Sequence, residues 1–199
     1  MKRLSACLSA VLLVVTAGCS VLPRPDSVQL IDPRPEPPAP TSDADRWSLS
    51  VARPETDPAR DSARVLVRTV DGRLQLHPGA RWVAPAPDLL QMLALRWLRD
   101  GGTLRRVEAG VVGADRLLRI DLRRFELAES APDGDLAFVV VADVRLAEAD
   151  DAALVDRRLI SARAVVADVD AATIVEAVES ALSALLTDLA TWLEEQPRD

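Results

Sequence analysis

Residues 136–146 read Leu-Ala-Phe-Val-Val-Val-Ala-Asp-Val-Arg-Leu, and this stretch decides the fold class. Every even-numbered position in it is apolar, which is the period-two pattern of a β-strand. Ala137, Val139 and Val141 make the opposite face apolar as well. A strand that is apolar on both faces is covered on both for part of its length. We therefore expect a central strand of a sheet.

Two further long strands are predicted beside this one. Residues 155–166 follow it after an acidic turn at 148–151. Residues 117–127 precede it, and their apolar positions change parity near Arg123, which predicts a β-bulge that keeps one face buried. Asp133-Gly134 predicts the hairpin turn between the two strands, because both residues tolerate positive φ.

Shorter strands are predicted in the first half of the chain. Their positions are 28–31 as an edge strand, 49–51, 65–68, 74–76 and 105–109. A second Asp-Gly pair, at 71–72, predicts a tight hairpin between two of them.

Two amphipathic helices complete the pattern. The first begins near Pro87, which suits a first helical turn, and ends at Gly101-Gly102. The second follows Asp170, whose side chain can cap it, and carries an apolar stripe from Ile174 to Trp192. The predicted fold is thus α/β in the broad sense, of the α+β type. It has one mainly antiparallel mixed sheet of about seven strands with both helices packed on one face.

The amino terminus has the pattern of a lipoprotein signal. A basic start is followed by an uncharged apolar stretch at 4–16, too short to span a bilayer comfortably. Ala17-Gly18-Cys19 then places small residues before a cysteine, as a lipoprotein-processing peptidase requires. We predict a signal peptide at 1–18, a lipidated Cys19 that begins a Pro-rich linker at 19–46, and a domain at 47–199. The alternatives are an ordinary signal peptide with a chance cysteine and an uncleaved anchor.

Cysteine usage agrees with a lipid anchor outside the cytoplasm. The chain has two cysteines: Cys7 lies within the signal and Cys19 would be acylated, so no disulfide is expected. Ser20 follows the lipidation site, whereas retention at the inner membrane usually uses Asp there. We therefore expect the domain on the periplasmic face of the envelope, anchored to the outer membrane.

Composition and motifs argue against several functions. The formal net charge of −7 is unfavourable for nucleic acid, whose binding depends on basic residues. The single histidine, His77, precedes Pro78-Gly79 and is predicted to be a turn residue. Zinc sites need several His or Cys ligands, and no glycine-flanked serine is present. We predict no catalytic residue, no metal site, no cofactor and no enzymatic activity. The adjacent arginine pairs are predicted to be exposed charges; they lie at 105–106, 123–124 and 157–158.

One segment resembles a known family. Residues 80–85 read Ala-Arg-Trp-Val-Ala-Pro, follow Leu74-Gln75-Leu76 and precede a Leu-rich helix. This is similar to the signature of the ABC-type transport auxiliary lipoproteins, the PqiC-like family, and Arg81, Trp82 and Pro85 stand at matching positions. Residues 65–68, 118–126 and 189–193 resemble the family as well, so the resemblance covers about 49–193.

The resemblance implies a role in transport. Such lipoproteins are similar to periplasmic components encoded with a mammalian-cell-entry (MCE) protein, an ABC permease and an ATPase, which together move lipids between the inner and outer membranes. The implied partners are these proteins and the membrane that holds the anchor. A homo-oligomer is a further candidate assembly. The alternatives are an envelope assembly lipoprotein with no transport role and an envelope enzyme.

The signature residues have two readings. In the structural one, Trp82 packs under the first helix and Arg81 satisfies backbone carbonyls. In the other, both belong to a partner surface, where Trp and Arg are enriched as anchors. A variant of the transport hypothesis has the domain carry a lipid itself, which predicts an apolar pocket between the helices and the sheet.

Overall fold

The computed structural model describes residues 28–37, 39, 47–102, 104–110, 113–130, 135–168 and 170–197. These residues form one mixed eight-stranded sheet, curled into a half-barrel, and two helices, which confirms the predicted α+β fold. The strands are β1 Gln29–Ile31, β2 Ser48–Val51, β3 Arg64–Arg68, β4 Leu74–Trp82, β5 Arg106–Ala109, β6 Arg116–Glu129, β7 Leu136–Glu148 and β8 Leu154–Val165. The helices are α1 Ala86–Asp100 and α2 Ala171–Glu194.

The three long strands form the antiparallel half of the sheet. Strand β7 lies between β6 and β8, as its two apolar faces predicted. The register of β6 against β7 shifts between Leu122 and Arg124, which confirms the predicted bulge. On either side of that shift, Leu122 faces Ala142 and Phe125 faces Val140, so the buried face is continuous. The Asp133-Gly134 turn lies outside the described residues.

The short strands join the second edge of β6. Strand β2 pairs with its first half and β3 with its second half, both in parallel. Strand β5 extends the sheet beside β2, and β4 beside β3. The β3–β4 hairpin confirms the prediction from Asp71-Gly72, and Gly72 takes a φ of +84° there. Strand β1 pairs in parallel with the end of β4 and forms a sheet edge, also as predicted.

The prediction that His77 lies in a turn is wrong. Strand β4 continues from Leu74 to Trp82 and includes both His77 and Pro78. Pro78 is tolerated because the pairing of β3 with β4 is irregular between Leu66↔Leu76 and Arg64↔Arg81. Proline lacks the amide that a regular ladder needs, so it is found at such irregularities.

Both helices begin and end at signals that the sequence carries. The Asp170 carboxylate accepts hydrogen bonds from the amides of Ala172 and Thr173, at 2.8 and 3.0 Å, which confirms the predicted cap of α2. Gly102, just after α1, takes a φ of +67°. Near the other end of α2, Trp192 Nε1 donates to Asp156 of β8 at 2.7 Å. No helix in the described ranges is both long enough and apolar enough to cross a bilayer.

The core lies between the helices and one face of the sheet. Its centre is a triad of rings from three strands: Trp82, Phe125 and Phe138. Their centroids lie 5.0–5.9 Å apart in edge-to-face contacts, an arrangement that aromatic rings favour. The apolar stripes of both helices belong to the same buried cluster. We call this sheet surface the helix face and the opposite one the outer face.

Candidate functional site

The signature segment 80–85 lies at the junction of β4 and α1. Its backbone is held in place, because the amides of Trp82 and Ala86 donate to the carbonyls of Ala63 and Ser62 at 2.9 and 3.1 Å. Pro85 is the residue before α1, with φ −51° and ψ 142°, and its carbonyl accepts from the amide of Leu89 at 2.9 Å. The extended backbone that proline favours therefore sets the point where the strand gives way to the helix.

Trp82 and Arg81 face opposite environments although they are neighbours in sequence. Trp82 is 1% exposed and belongs to the aromatic triad of the core. Arg81 is exposed on the outer face, directly opposite Arg64 of β3 and Leu30 of β1. Within the described ranges, no carbonyl or carboxylate accepts a hydrogen bond from the Arg81 guanidinium. The surroundings of Trp82 are thus those of a core residue, and those of Arg81 leave its charge available to a partner.

A groove runs along the edge of the sheet beside Arg81. Its volume is about 290 Å³, and it is lined by Val28, Arg64, Leu76, His77, Pro78, Ala80 and Arg81. We call it the edge groove. Its aliphatic side chains are unusually open to solvent: Leu76 is 50% exposed and Val28 49%, and neighbouring Leu30 is 68% exposed. His77 Nδ1 accepts a hydrogen bond from the amide of Gly79 at 3.3 Å, and Nε2 takes no part in that bond.

The outer face holds a fully buried carboxylate that the sequence did not reveal. Glu126 of β6 accepts hydrogen bonds from Arg68 at 2.6 Å and Arg124 at 3.0 Å, and it is also bonded to Arg60. Burial raises the pKa of Glu126, but the hydrogen bond from Arg68 and the charge of Arg60 outweigh burial and hold that pKa below its usual value. A carboxylate with these partners is ionised and fully engaged.

A second buried carboxylate, Asp143, lies in the middle of β7. Arg157 Nε donates to it at 2.8 Å, Arg123 is bonded to it as well, and Arg145 lies at 3.6 Å. The hydrogen bond from Arg157 lowers the pKa of Asp143 further than burial raises it. The arginine pairs predicted to be only exposed charges therefore include partners of the buried acids. Asp143 is the one acid within 136–146. An acidic residue in the middle of a strand that is apolar on both faces was the sequence signal that could have indicated a buried carboxylate.

Next to Asp143, three arginines face one another across three strands. Arg119 of β6 is paired with Arg145 of β7, which is paired with Arg157 of β8. Like charges directly opposite in a sheet are destabilising, and the Asp121–Asp143 pair in the neighbouring row compensates part of the repulsion. We call this row the arginine ladder. Arg119 makes no ion pair within the described part of the chain.

The buried acids and the described residues around them offer no evident metal ligand set and no free carboxylate. Where the chain is described, no group of three His, Cys, Asp or Glu side chains could hold a metal ion. The buried acids are occupied by arginines and are poorly suited to accept a proton from a substrate. Cys19 lies outside the described residues.

In the described part of the chain, side chains of both helices and of the sheet pack together between the two layers. The buried residues of α1, α2 and the helix face form one continuous apolar cluster. A groove of about 360 Å³ lies between β8 and the start of α2, but Arg163, Thr173, Glu176 and Ser180 are part of its lining. This differs from the apolar pocket that the lipid-carrier variant predicts.

This chain is similar to one protein family and to several solved structures. The family model for the "ABC-type transport auxiliary lipoprotein component" matches residues 29–190. The crystal structure of protein XCC0632 from Xanthomonas campestris, assigned to DUF330, superposes with a TM-score of 0.77 at 29% identity, covering 83% of this chain and 94% of that one. The hypothetical protein CT253 from Chlamydia trachomatis shares the fold, with a TM-score of 0.55 at 6% identity over 76% of this chain and 97% of that one. No curated protein matches.

Proposed function

The chain belongs to the family of ABC-type transport auxiliary lipoproteins, and on that premise we propose that it is the lipid-anchored periplasmic component of an MCE-type lipid transporter. The observation that carries the proposal is the family match across 29–190, which includes all eight described strands, α1 and most of α2. The Ala17-Gly18-Cys19 sequence supplies the anchor, acylated at Cys19. Ser20 favours the outer membrane as the place of that anchor.

In this proposal the domain is a docking component rather than a lipid carrier or an enzyme. The continuous apolar cluster that packs the helices against the sheet supports docking, because a carried acyl chain would need an apolar space of its own. The pairing of Glu126 and Asp143 with arginines supports a non-enzymatic role, since neither carboxylate is free to act as a base. The domain would connect the membrane that holds its acyl chains with the MCE protein, the permease and the ATPase.

The test is affinity purification of the lipidated full chain from gently solubilised membranes, with mass spectrometry of the proteins that accompany it. We expect an MCE protein together with a permease and an ATPase. The intact mass of the bait, measured in the same preparation, checks that acyl chains are present on Cys19. A Cys19→Ala chain serves as the control for proteins that bind unprocessed precursor.

Two results would contradict the proposal in different ways. Recovery of only outer-membrane or cell-wall proteins by an acylated bait would favour an envelope assembly lipoprotein with no transport role. A bait that reaches the envelope without acyl chains would reject the anchor and leave the transporter partnership to be judged from the proteins recovered.

A further inference from the structure

We propose that the edge groove and the aliphatic residues around it lie on an anionic phospholipid surface, the surface of the membrane into which the acyl chains of Cys19 insert. This inference rests on the proposed lipid anchor and adds an orientation to it. The β1–β4 edge of the sheet would face the headgroups, and the rest of the domain would point away from them. Arg81 would then act in lipid contact rather than in protein contact.

The first argument is the length of chain between the anchor and the groove. Val28 lines the groove, and only residues 20–27 separate it from Cys19. Fully extended, that segment spans about 30 Å at most. Because β1 starts at Gln29 and pairs with β4, the tether ends at this edge and not at the end of the Pro-rich stretch. The groove is therefore held close to the membrane surface.

The second argument is the chemistry of the surface that the tether brings there. Arg64 and Arg81 are direct neighbours across two strands, on the face that also carries Leu30. Such a like-charge pair is unfavourable in isolation, and within the described ranges neither arginine has an acidic partner. Lipid phosphates would supply the missing charge, and each arginine near an anionic surface strengthens binding about fivefold.

The exposed aliphatic residues fit the same occupant. Leu30, Leu76 and Val28 are each about half exposed or more and lie beside the two arginines. Aliphatic side chains next to basic ones are the composition of surfaces that lie in the headgroup region of a bilayer. The chain as a whole carries a formal net charge of −7, so anionic lipid repels the molecule as a whole and attraction has to come from a local basic site. The two arginines thus select which edge comes to lie on the membrane.

The experiment places an environment-sensitive dye on the groove. Leu76→Cys is labelled in the lipidated full chain, whose own Cys19 is blocked by its thioether, and Met92→Cys on the exposed surface of α1 is the matched control. Each protein is added to vesicles of phosphatidylcholine alone and to vesicles that also contain phosphatidylglycerol. We expect a blue shift of the dye at position 76 only with phosphatidylglycerol, and no shift at position 92.

Charge-reversal variants separate the arginines from the anchor. Arg81→Glu should reduce the docked fraction by more than the fivefold that one arginine contributes, and Arg64→Glu/Arg81→Glu should abolish the shift. Arg96→Glu, an equal change of charge on α1, should leave it intact. Thermal unfolding of each variant should match the parent, since neither Arg64 nor Arg81 has a described ionic partner to lose.

Three results would overturn the inference. An unshifted dye at position 76 on anionic vesicles, with Cys19 acylated, would mean that this edge is free for a protein partner. An equal shift on phosphatidylcholine alone would remove the role of the arginines. If Cys19 proves unmodified, the proposed anchor fails. A dye shift that still requires phosphatidylglycerol and Arg81 would then support the lipid-binding surface without the anchor. Absence of that shift would reject the lipid-binding surface as well.

Discussion

The two faces of the long strands bury their side chains by different means. On the helix face, Phe125, Phe138 and Trp82 contact one another under two amphipathic helices, and apolar area removed from water provides the stabilisation. On the outer face, the same strands bury Glu126 and Asp143, which are stable there only because arginines surround them. Burial of apolar area on the helix face is therefore the main source of folding free energy. The outer face holds charged groups whose burial is tolerated only in ion pairs.

Truncating the aromatic triad should have the largest effect. Trp82→Ala removes a ring that contacts both phenylalanines, and we expect a loss of about 4 kcal/mol in the free energy of unfolding, measured by urea denaturation. Trp82→Phe is the matched control. It retains an aromatic ring, leaves a smaller void and removes an indole N–H that donates to no acceptor in the described part of the chain, so it should cost about half as much as the alanine variant. Equal losses for the two variants would mean that the triad is not the centre of the core.

Removing the carboxylate of Glu126 should come next. Glu126→Ala removes the buried partner of Arg60, which is 7% exposed and keeps only its ion pair with the more exposed Asp57, and we expect a loss of about 3 kcal/mol. Glu129→Ala, at the more exposed end of the same strand, is the control and should change stability by about 0.5 kcal/mol or less. If Glu126→Ala were as mild as the control, the outer face would be hydrated rather than buried.

Acid should weaken the outer face before the helix face. The pKa values of Glu126 and Asp143 are held below their usual range in the folded chain. The stabilisation is complete above the unfolded values of about 4.3 and 3.9. It is lost as pH falls through the lower folded values. Urea denaturation at about pH 6 and about pH 3 should show this loss. Glu126→Gln should show less of it, and an unchanged acid dependence in that variant would contradict the prediction.

Relieving the arginine ladder should have the smallest effect, with the opposite sign. Arg119→Thr removes one of the like charges that face Arg145 and adds a good strand former. We expect a gain of about 0.5 kcal/mol, larger at low salt than at high salt. Arg105→Thr, which breaks the 2.8 Å ion pair with Asp115, is a control that should give no gain. A loss of stability for Arg119→Thr would mean that the ladder is structurally required.

The sequence predicted the parts of the fold that depend on local patterns. Alternation identified β7, the change of parity near Arg123 located the bulge, and Asp170 located the start of α2. Strands as short as β2 carry no information on their partners, so their parallel pairing along β6 could not be predicted. Local turn propensity around Pro78 misled the assignment of His77, because a tertiary irregularity accommodates proline within the strand.

The sequence indicated only part of the candidate site. The resemblance drew attention to Arg81 and Trp82, and the alternation of β4 is enough to place neighbours on opposite faces. The position of Arg64 beside Arg81 depends on the irregular register of β4, which no short-range signal encodes. The buried state of Glu126 depends on Arg60, which is distant in sequence and reaches it from a loop.

The incorporation of β1 into the sheet determines how the molecule would respond to mechanical load. A pull on the amino-terminal side of β1 would act first on three residue pairs between β1 and β4, and then on the bond of 2.8 Å from the Arg34 amide to Glu179 of α2. We expect β1 to separate in an early step of a pulling experiment, and this step also withdraws Ile31, which is 1% exposed, from the edge of the core. Separation of β1 would lengthen the chain between the proposed anchor and the sheet, so the rest of the domain could follow a partner that moves away from the membrane.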